Sequence, residues 1–409
     1  MSLRKWKDDR RELQVLVVTT SFPLPGGSPS GPFVKRLVES MPPGVRTMVL
    51  TPCIGIRQEH QLAGLHRVVC FRYAPIVWQK LAHVPGGVPV ALASNPWLYL
   101  LVPAFLLAMG GACWRSSRGM SVLHANWSVN GVVAGVIARL RGIPLITTLR
   151  GDDVTRAGIS PLFRFLLARC VGMSMKVVVV SEGIRQQVVG WFPKAAGKIH
   201  FIANGISDDL MSEPPSLGIP GKLNAIVVGS LIPRKDVGVL VRALARLPSP
   251  ASVRVVVLGD GPDRDGLQRL ATELGVRSSL HFAGAVGTDD VAGYLRAADA
   301  LVLCSRSEGR PNVVLEAMAA GAVVVATAIP GVTELVADGS TGLLFECGDE
   351  EALANHMIRL CADHELRVRL ASNARSWIRD QGLFWVGTAR RYAALYHECV
   401  ERTGQRCAD

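Results

Sequence analysis

The sequence has little of what marks a metal or redox centre. Its nine cysteines are scattered between positions 53 and 407. No two form C-x-x-C, and no His/Cys cluster has zinc spacing, so a zinc module and a dithiol redox motif are excluded and no metal site is expected. The thiols read as free or buried in a reducing compartment, which points to the cytoplasm. The N-terminal stretch MSLRKWKDDRREL is densely charged, and the apolar run after it is short and lacks a cleavage-type end. That argues against a secretory signal. There is no tandem repeat and no low-complexity tract, which excludes a solenoid. No recognised nucleic-acid module is present.

What is present is a globular chain of 409 residues, 49% hydrophobic and 19% charged. That length suits two domains, each able to bury its own core. The net charge of +12 favours anionic partners such as phosphate-bearing substrates or an acidic membrane surface. Residues 81–114 contain no Asp, Glu, Lys or Arg. Three readings of this segment stay open: a membrane span, ordinary core, or a surface that docks on a membrane or lipid acceptor. Asn95-Pro96, Pro103 and Gly110-Gly111 interrupt it, and α/β patterns flank it, so a span would break a domain.

Strand-like runs alternate with helical ones. LQVLVVTT (13–20) ends in the Gly/Pro-rich loop SFPLPGGSPSGP, and FVKRLVESM follows as a helix. TMVLTP, RVVCFRY, SVLHA, PLITTLRG and KVVVV read as strands, with GVVAGVIARLRG a helix closed by Gly142. A break at 206–222, rich in acid, Pro and Gly, reads as a linker. A second series follows: NAIVVGS, RVVVLGDGP, LHFAG, ALVLCS and AVVVAT as strands, each with a helix after or before it. The expected fold is α/β, two Rossmann-like domains with parallel sheets covered on both faces. The expected boundaries are 1–206, a linker at 207–222, a second domain at 223–384, and a C-terminal helix at 385–409 crossing back to the first domain. Ligands bind outside the carboxyl ends of parallel strands, so the cleft where the two sheets face is the expected site.

The richest motif is SRSEGRPNVVLEAMAAGAVVVAT (305–327), which follows the strand ALVLC. Gly309 and Pro311 shape a tight loop, and a helix opens near Asn312. A helix start presents N–H groups and a positive dipole end to an anion. Glu308 and Glu316 stand eight residues apart. Carboxylates suit vicinal hydroxyls of a ribose or sugar. The plain structural reading makes Glu308 a cap-like acceptor and Glu316 a solvated helix residue.

This segment resembles the signature of retaining glycosyltransferase family 4, with its paired glutamates and its EAMA-x-G helix. VVGSLIPRKDVGVLVRAL (227–244), VVVVSEGIRQQVVGWFPKAAGKIHFIANGI (177–206), LGDGPDRDGLQRLATELGV, LHFAGAV and FPLPGGSPSGPFVKRL resemble other parts of the same family. The resemblance implies a GT-B fold and transfer of a sugar from a nucleotide-diphosphate donor to a hydroxyl with retention of configuration. It implies no metal and no cofactor beyond the donor substrate. It implies Glu316 on the donor ribose and Glu308 beside the transferred sugar. The backbone of Asn312, Val313 and Val314 would face sugar and diphosphate. Lys235, with Arg234, would neutralise the diphosphate. Val286 would hold the base through main chain, and Gly27 or Gly31 would let backbone approach the phosphates. Two positions depart from the pattern. Ser230 follows Gly229 where the family usually has Arg, and TTLRGDDV puts Arg150 where a His is common. Arg150, His124 and Asp152 are candidates for acceptor or sugar contact. Arg150 could also serve only to pair with an aspartate.

Competing classes have weaker support. GDGPDRDG has Gly259, Gly261 and Gly266, but Arg264 stands where a dinucleotide fingerprint needs Gly. A sugar-nucleotide isomerase or a non-catalytic sugar-nucleotide binder on a similar fold would share many of these residues. The donor base and sugar, the acceptor and the linkage are not legible. The apolar stretch 97–109 hints at a lipid-linked acceptor and a peripheral position on an anionic membrane, in surface polysaccharide or glycolipid synthesis.

Overall fold

The computed structural model describes residues 12–24, 31–54, 59–61, 66–84, 87–211 and 222–406. The chain divides into two compact units. One comprises Met1–Gly205 with Trp385–Asp409, the other Ile206–Phe384.

The first unit is built from β1 (Leu13–Val18), α1 (Pro32–Glu39), β2 (Val45–Pro52), β3 (Glu59–Gln61), β4 (Arg67–Phe71), α2 (Gly87–Ser94), α3 (Val102–Ser116), β5 (Val122–Asn126), α4 (Ser128–Arg141), β6 (Leu145–Leu149), α5 (Asp152–Ile159), α6 (Pro161–Met173), β7 (Lys176–Val179), α7 (Glu182–Trp191) and β8 (Ile199–Phe201). Its strands form one sheet in the order β3-β4-β2-β1-β5-β6-β7-β8. β3 is antiparallel to β4; the other pairs are parallel. Parallel strands covered on both faces need apolar side chains on both, which is why runs such as KVVV are continuous rather than alternating. Val15 and Val17 of β1 face a core shared with α1 and the C-terminal helix. Leu16 and Val18 face the opposite core, shared with α3 and α4.

The second unit contains β9 (Leu223–Val228), α8 (Gly238–Ala245), β10 (Val253–Leu258), α9 (Arg264–Glu273), β11 (Leu280–Gly284), α10 (Thr288–Arg296), β12 (Ala300–Leu303), α11 (Asn312–Ala320), β13 (Val323–Thr327), α12 (Pro330–Thr333), β14 (Gly342–Phe345), α13 (Glu350–Ala362) and α14 (His364–Gln381). Its sheet is parallel throughout, in the order β11-β10-β9-β12-β13-β14. From β9 the chain winds outward one way to β11, then returns to β12 and winds the other way. The crevice between the carboxyl ends of β9 and β12 is therefore the topological switch point, where doubly wound sheets bind ligands.

The helix α15 (Trp385–Arg406) belongs to the first unit. Trp385, Ala389, Tyr392, Tyr396 and Cys399 recur at helical spacing and are buried against the β1 and α1 core. In the segment read as a linker, Asp208–Met211 forms one 3₁₀ turn with Leu210 buried. Residues 212–221 lie outside the described residues, as does Gly27. The apolar segment 97–109 does not reduce to one of its three readings. Phe105 and Met109 are core, whereas Trp97, Leu100 and Leu107 are exposed.

Candidate functional site

At the switch point of the second unit, β9 ends and the chain turns through Gly229 and Ser230 to a 3₁₀ turn at Pro233–Lys235. Next to it, β12 ends and the loop 304–311 leads into α11. A pocket between them is lined by Gly229, Ser230, Lys235, Cys304 and Ser305 together with valines of β9 and β12. Residues 73 apart in sequence meet here because β9 and β12 are neighbours. Lys235 Nζ donates to Glu308 Oε1 at 2.6 Å, and Ser305 Oγ donates to the same oxygen at 2.8 Å. Arg234 Nη1 lies 3.4 Å from Glu308 Oε2 and donates to the Ser307 carbonyl at 2.8 Å.

Burial disfavours the charged form of Glu308. The ammonium of Lys235, the guanidinium of Arg234 and the two short hydrogen bonds outweigh it and hold the carboxyl below its ordinary range. Glu308 therefore stands as an ionised, acceptor-only group. The loop that carries it is clamped from behind. A Cβ on Gly331 would sit 2.5 Å from the Glu308 carbonyl oxygen and 2.8 Å from that of Gly309, so only glycine admits this approach of α12.

No side chain caps the N-terminus of α11, whose Ncap residue is Pro311. Its dipole end and first-turn backbone are presented next to the Lys235–Glu308 pair. Asn312 and Val313 are half-buried and Val314 is buried, so it is the backbone of this turn, not the valine side chains, that a ligand would meet. Glu316 lies in the second turn, half-buried. Val286 follows β11, which is separated from β12 by β10 and β9, and is half-buried. Among the described residues, no group of three or more His, Cys, Asp or Glu is placed to hold a metal ion.

The first unit gathers a second set at the carboxyl ends of β1, β5, β6 and β8. Arg150, just after β6, donates from Nε and Nη2 to Asn126 Oδ1 at 3.2 and 2.8 Å, and from Nη1 to Asn204 Oδ1 at 2.6 Å. Its guanidinium also stacks on Phe33, 4.4 Å from the ring centroid. So its direct partners are two asparagine carbonyls, and an aspartate is not among them. Gly31 opens α1 at φ +78°, where a Cβ would lie 2.3 Å from the Ser21 carbonyl oxygen.

Two candidates need correction. His124 is wholly buried. Its Nε2 is 2.8 Å from Thr148 Oγ1 of β6 and its Nδ1 is 2.8 Å from Tyr396 Oη of α15, so both nitrogens are taken up in tying β6 and α15 to β5. Burial and the nearby Arg150 push its pKa down to about 3, so the ring is neutral. Asp152 is exposed and pairs with Arg156 at 2.8 Å. Its neighbour Asp153 is the structured one: buried, and accepting from the N–H groups of Gly151, Ser128 and Val154.

Sequence reasoning missed Trp127 altogether. It sits between β5 and α4 at φ 68°, ψ 152°, a region that side-chain-bearing residues rarely occupy. Such a conformation costs on the order of 1–3 kcal/mol and concentrates at functional sites. Its ring meets Phe33 edge-on, with centroids 6.1 Å apart. Nothing in local sequence signals this; the strain is visible only in the folded chain.

The family described as Glycosyl transferases group 1 matches residues 212–377, and that described as Glycosyltransferase Family 4 matches residues 56–210. The two matches abut, one on each unit, and the chain has the fold of the GT-B glycosyltransferases. The chain is 34% identical over 210 residues to the lipopolysaccharide core biosynthesis glycosyltransferase LpsE of Rhizobium meliloti; the match spans 50% of this chain and 59% of that protein. Sucrose-phosphate synthase from Thermosynechococcus elongatus shares its fold with a TM-score of 0.76 at 21% identity, over 95% of this chain and 99% of that one. Anabaena HepE, solved in complex with UDP and glucose, does so with a TM-score of 0.74 at 20% identity, over 95% and 100%. The α/β fold expected of two Rossmann-like domains is the one found.

Proposed function

We propose that this glycosyltransferase moves a sugar from a nucleotide-diphosphate sugar to a hydroxyl acceptor with retention of configuration. The observation that carries the proposal is the Lys235–Glu308–Arg234 cluster at the switch point of the second sheet, beside the open end of α11. Breaking a glycosyl–phosphate bond leaves negative charge on the diphosphate while the sugar becomes cation-like. Lys235, Arg234 and the first-turn N–H groups of α11 are the groups that stabilise this departing anion. They supply the counter-charge that a metal supplies in other transferases, so activity is expected to survive a chelator. Arg234 takes the part of the cation that Ser230 cannot provide.

Glu308, being ionised, accepts hydrogen bonds from sugar hydroxyls and has no proton to donate as an acid. The acceptor oxygen attacks on the face the diphosphate leaves: the bond from sugar carbon to phosphate oxygen breaks, a bond to the acceptor oxygen forms, and the acceptor proton goes to the departing phosphate. Glu316 is assigned to the ribose and Val286 to the base. In the first unit Arg150, Phe33 and Trp127 are assigned to the acceptor. HepE binds UDP and glucose, and LpsE acts in lipopolysaccharide core synthesis. These relatives support a uridine nucleotide donor and a glycan or glycolipid acceptor. The net charge of +12 and the exposed Trp97, Leu100 and Leu107 support a cytoplasmic protein lying in part on the membrane.

Thermal shift with uridine, guanosine and adenosine diphosphate sugars tests the donor assignment. One of them, at about a hundred times its Kd, should stabilise the folded chain by about 2.7 kcal/mol. No shift with any of them refutes it. Conversion of the donor without an acceptor would point instead to an isomerase.

A further inference from the structure

On one face of the first sheet α3, α4 and α6 form a single helical layer. α4 packs against both α3 and α6. The inner side of this layer is core: Phe105, Met109 and Cys113 of α3 and Ala134 and Ala138 of α4 pack on the strands. Its outer side is apolar as well. Trp97 and Leu100, in the 3₁₀ turn that leads into α3, are 78% and 73% exposed, and Leu107 of α3 is 77% exposed. Leu140 of α4 is 69% exposed and Phe165 of α6 is 60% exposed. Single exposed leucines are ordinary, but a row of them across three adjacent helices is not.

The charge around this face is predominantly positive. Residues 60–181 contain two acids, Asp152 and Asp153, against twelve Lys and Arg. The helices α3, α4 and α6 contain no acid. Arginines sit on the aromatics at the rim: Arg141 stacks 3.9 Å over the ring of Trp114, and Arg169 lies 5.9 Å over that of Phe165. An apolar body with guanidinium groups around it matches the boundary between headgroups and acyl chains, where long cationic side chains snorkel.

We propose that the outer face of α3, α4 and α6 docks on an anionic lipid bilayer. The proposal makes specific the peripheral placement put forward above and is independent of the transfer chemistry. Pro96–Ser116 is long and apolar enough to cross a bilayer by length and composition. It does not insert as a span, because Phe105, Met109, Ala112 and Cys113 are built into the core of the sheet. A second copy of the same face is a poorer occupant, because arginine would meet arginine across the contact. Anionic headgroups complement both features at once.

The test is flotation of the full chain, without donor, with vesicles of phosphatidylcholine alone or mixed with phosphatidylglycerol. Two variants carry it: L100S/L107S, which removes exposed apolar area, and R115E/R139E, which reverses exposed charge. The wild type should float with the mixed vesicles and be released by salt. L100S/L107S should bind at least about tenfold more weakly, from the apolar area it no longer buries. R115E/R139E should lose binding to the mixed vesicles at low salt, with both variants melting as the wild type does. Wild-type protein left unbound by mixed vesicles would overturn the proposal. So would binding at the wild-type level by both variants, or a wild-type dimer that L100S/L107S splits while no vesicle is bound.

Discussion

Replacing Lys235 by alanine removes the central cation of the site and leaves the rest in place. Its ammonium lies 2.6 Å from Glu308, and both side chains are largely buried. Breaking a wholly buried ion pair costs about 3–5 kcal/mol. Here Ser305 still donates to Glu308 and Arg234 remains 3.4 Å away, so the loss of folding stability should stop at about 1–2 kcal/mol. The chemical step should suffer more. A preorganised donor aimed at developing charge contributes about 2.7–4 kcal/mol, a factor of about 100–1,000 in kcat. With Arg234 still present the lower end is expected, about 100-fold. Donor binding should weaken less than kcat falls, because the diphosphate gains charge only as the bond breaks. The assay is release of nucleoside diphosphate at saturating donor, using the nucleotide sugar found by thermal shift, with donor Kd measured separately by calorimetry. Lys235→Arg should recover part of the rate, since it keeps the charge but changes its geometry. A Lys235→Ala rate within about threefold of wild type at saturation would refute the assignment, because that corresponds to well under 1 kcal/mol.

Other expectations follow from the same geometry. Glu308→Gln should abolish transfer while the fold survives; near-normal turnover would reject its role beside the sugar. Tyr396→Phe leaves His124 Nδ1 buried without its partner and should lower unfolding free energy by about 1–3 kcal/mol in a denaturant titration. A change under about 0.5 kcal/mol would show that the hydroxyl does not anchor α15. Asp153 has its pKa pushed up to about 6, chiefly by burial and then by Asp152, against the pull of three backbone N–H groups. A carboxyl raised on folding binds more protons in the folded state, so its contribution is present at low pH and is lost as pH rises from about 4 through 6. Asp153→Asn should remove that slope from the stability–pH profile, and an unchanged slope would contradict the burial argument.

The α/β class was legible because buried parallel strands must be apolar on both faces, and KVVVV or AVVVAT has no other economical reading. Less visible was the end of the second unit. The strand Gly342–Phe345 is four residues long and emerges from a turn, too short for a periodicity to register. The chemistry was legible where it is local, as in the 305–327 motif with its loop, glutamates and helix start. It was hidden where it depends on tertiary neighbours. That Lys235 pairs with Glu308 follows from β9 lying next to β12, and that Arg150 is gripped by Asn126 and Asn204 follows from β5, β6 and β8 ending together. His124 shows the limit of reading a lone histidine at a strand end. Its environment is set by two tyrosines more than 260 residues away on α15, and they make it a neutral structural link.

The most direct measurement of the central claim is a crystal structure of the full chain with UDP. The account predicts the terminal phosphate within hydrogen-bond distance of Lys235 Nζ and of the backbone that opens α11, with the Lys235–Glu308 contact loosened or shared. UDP bound elsewhere, with that ion pair intact at its present length, would contradict it.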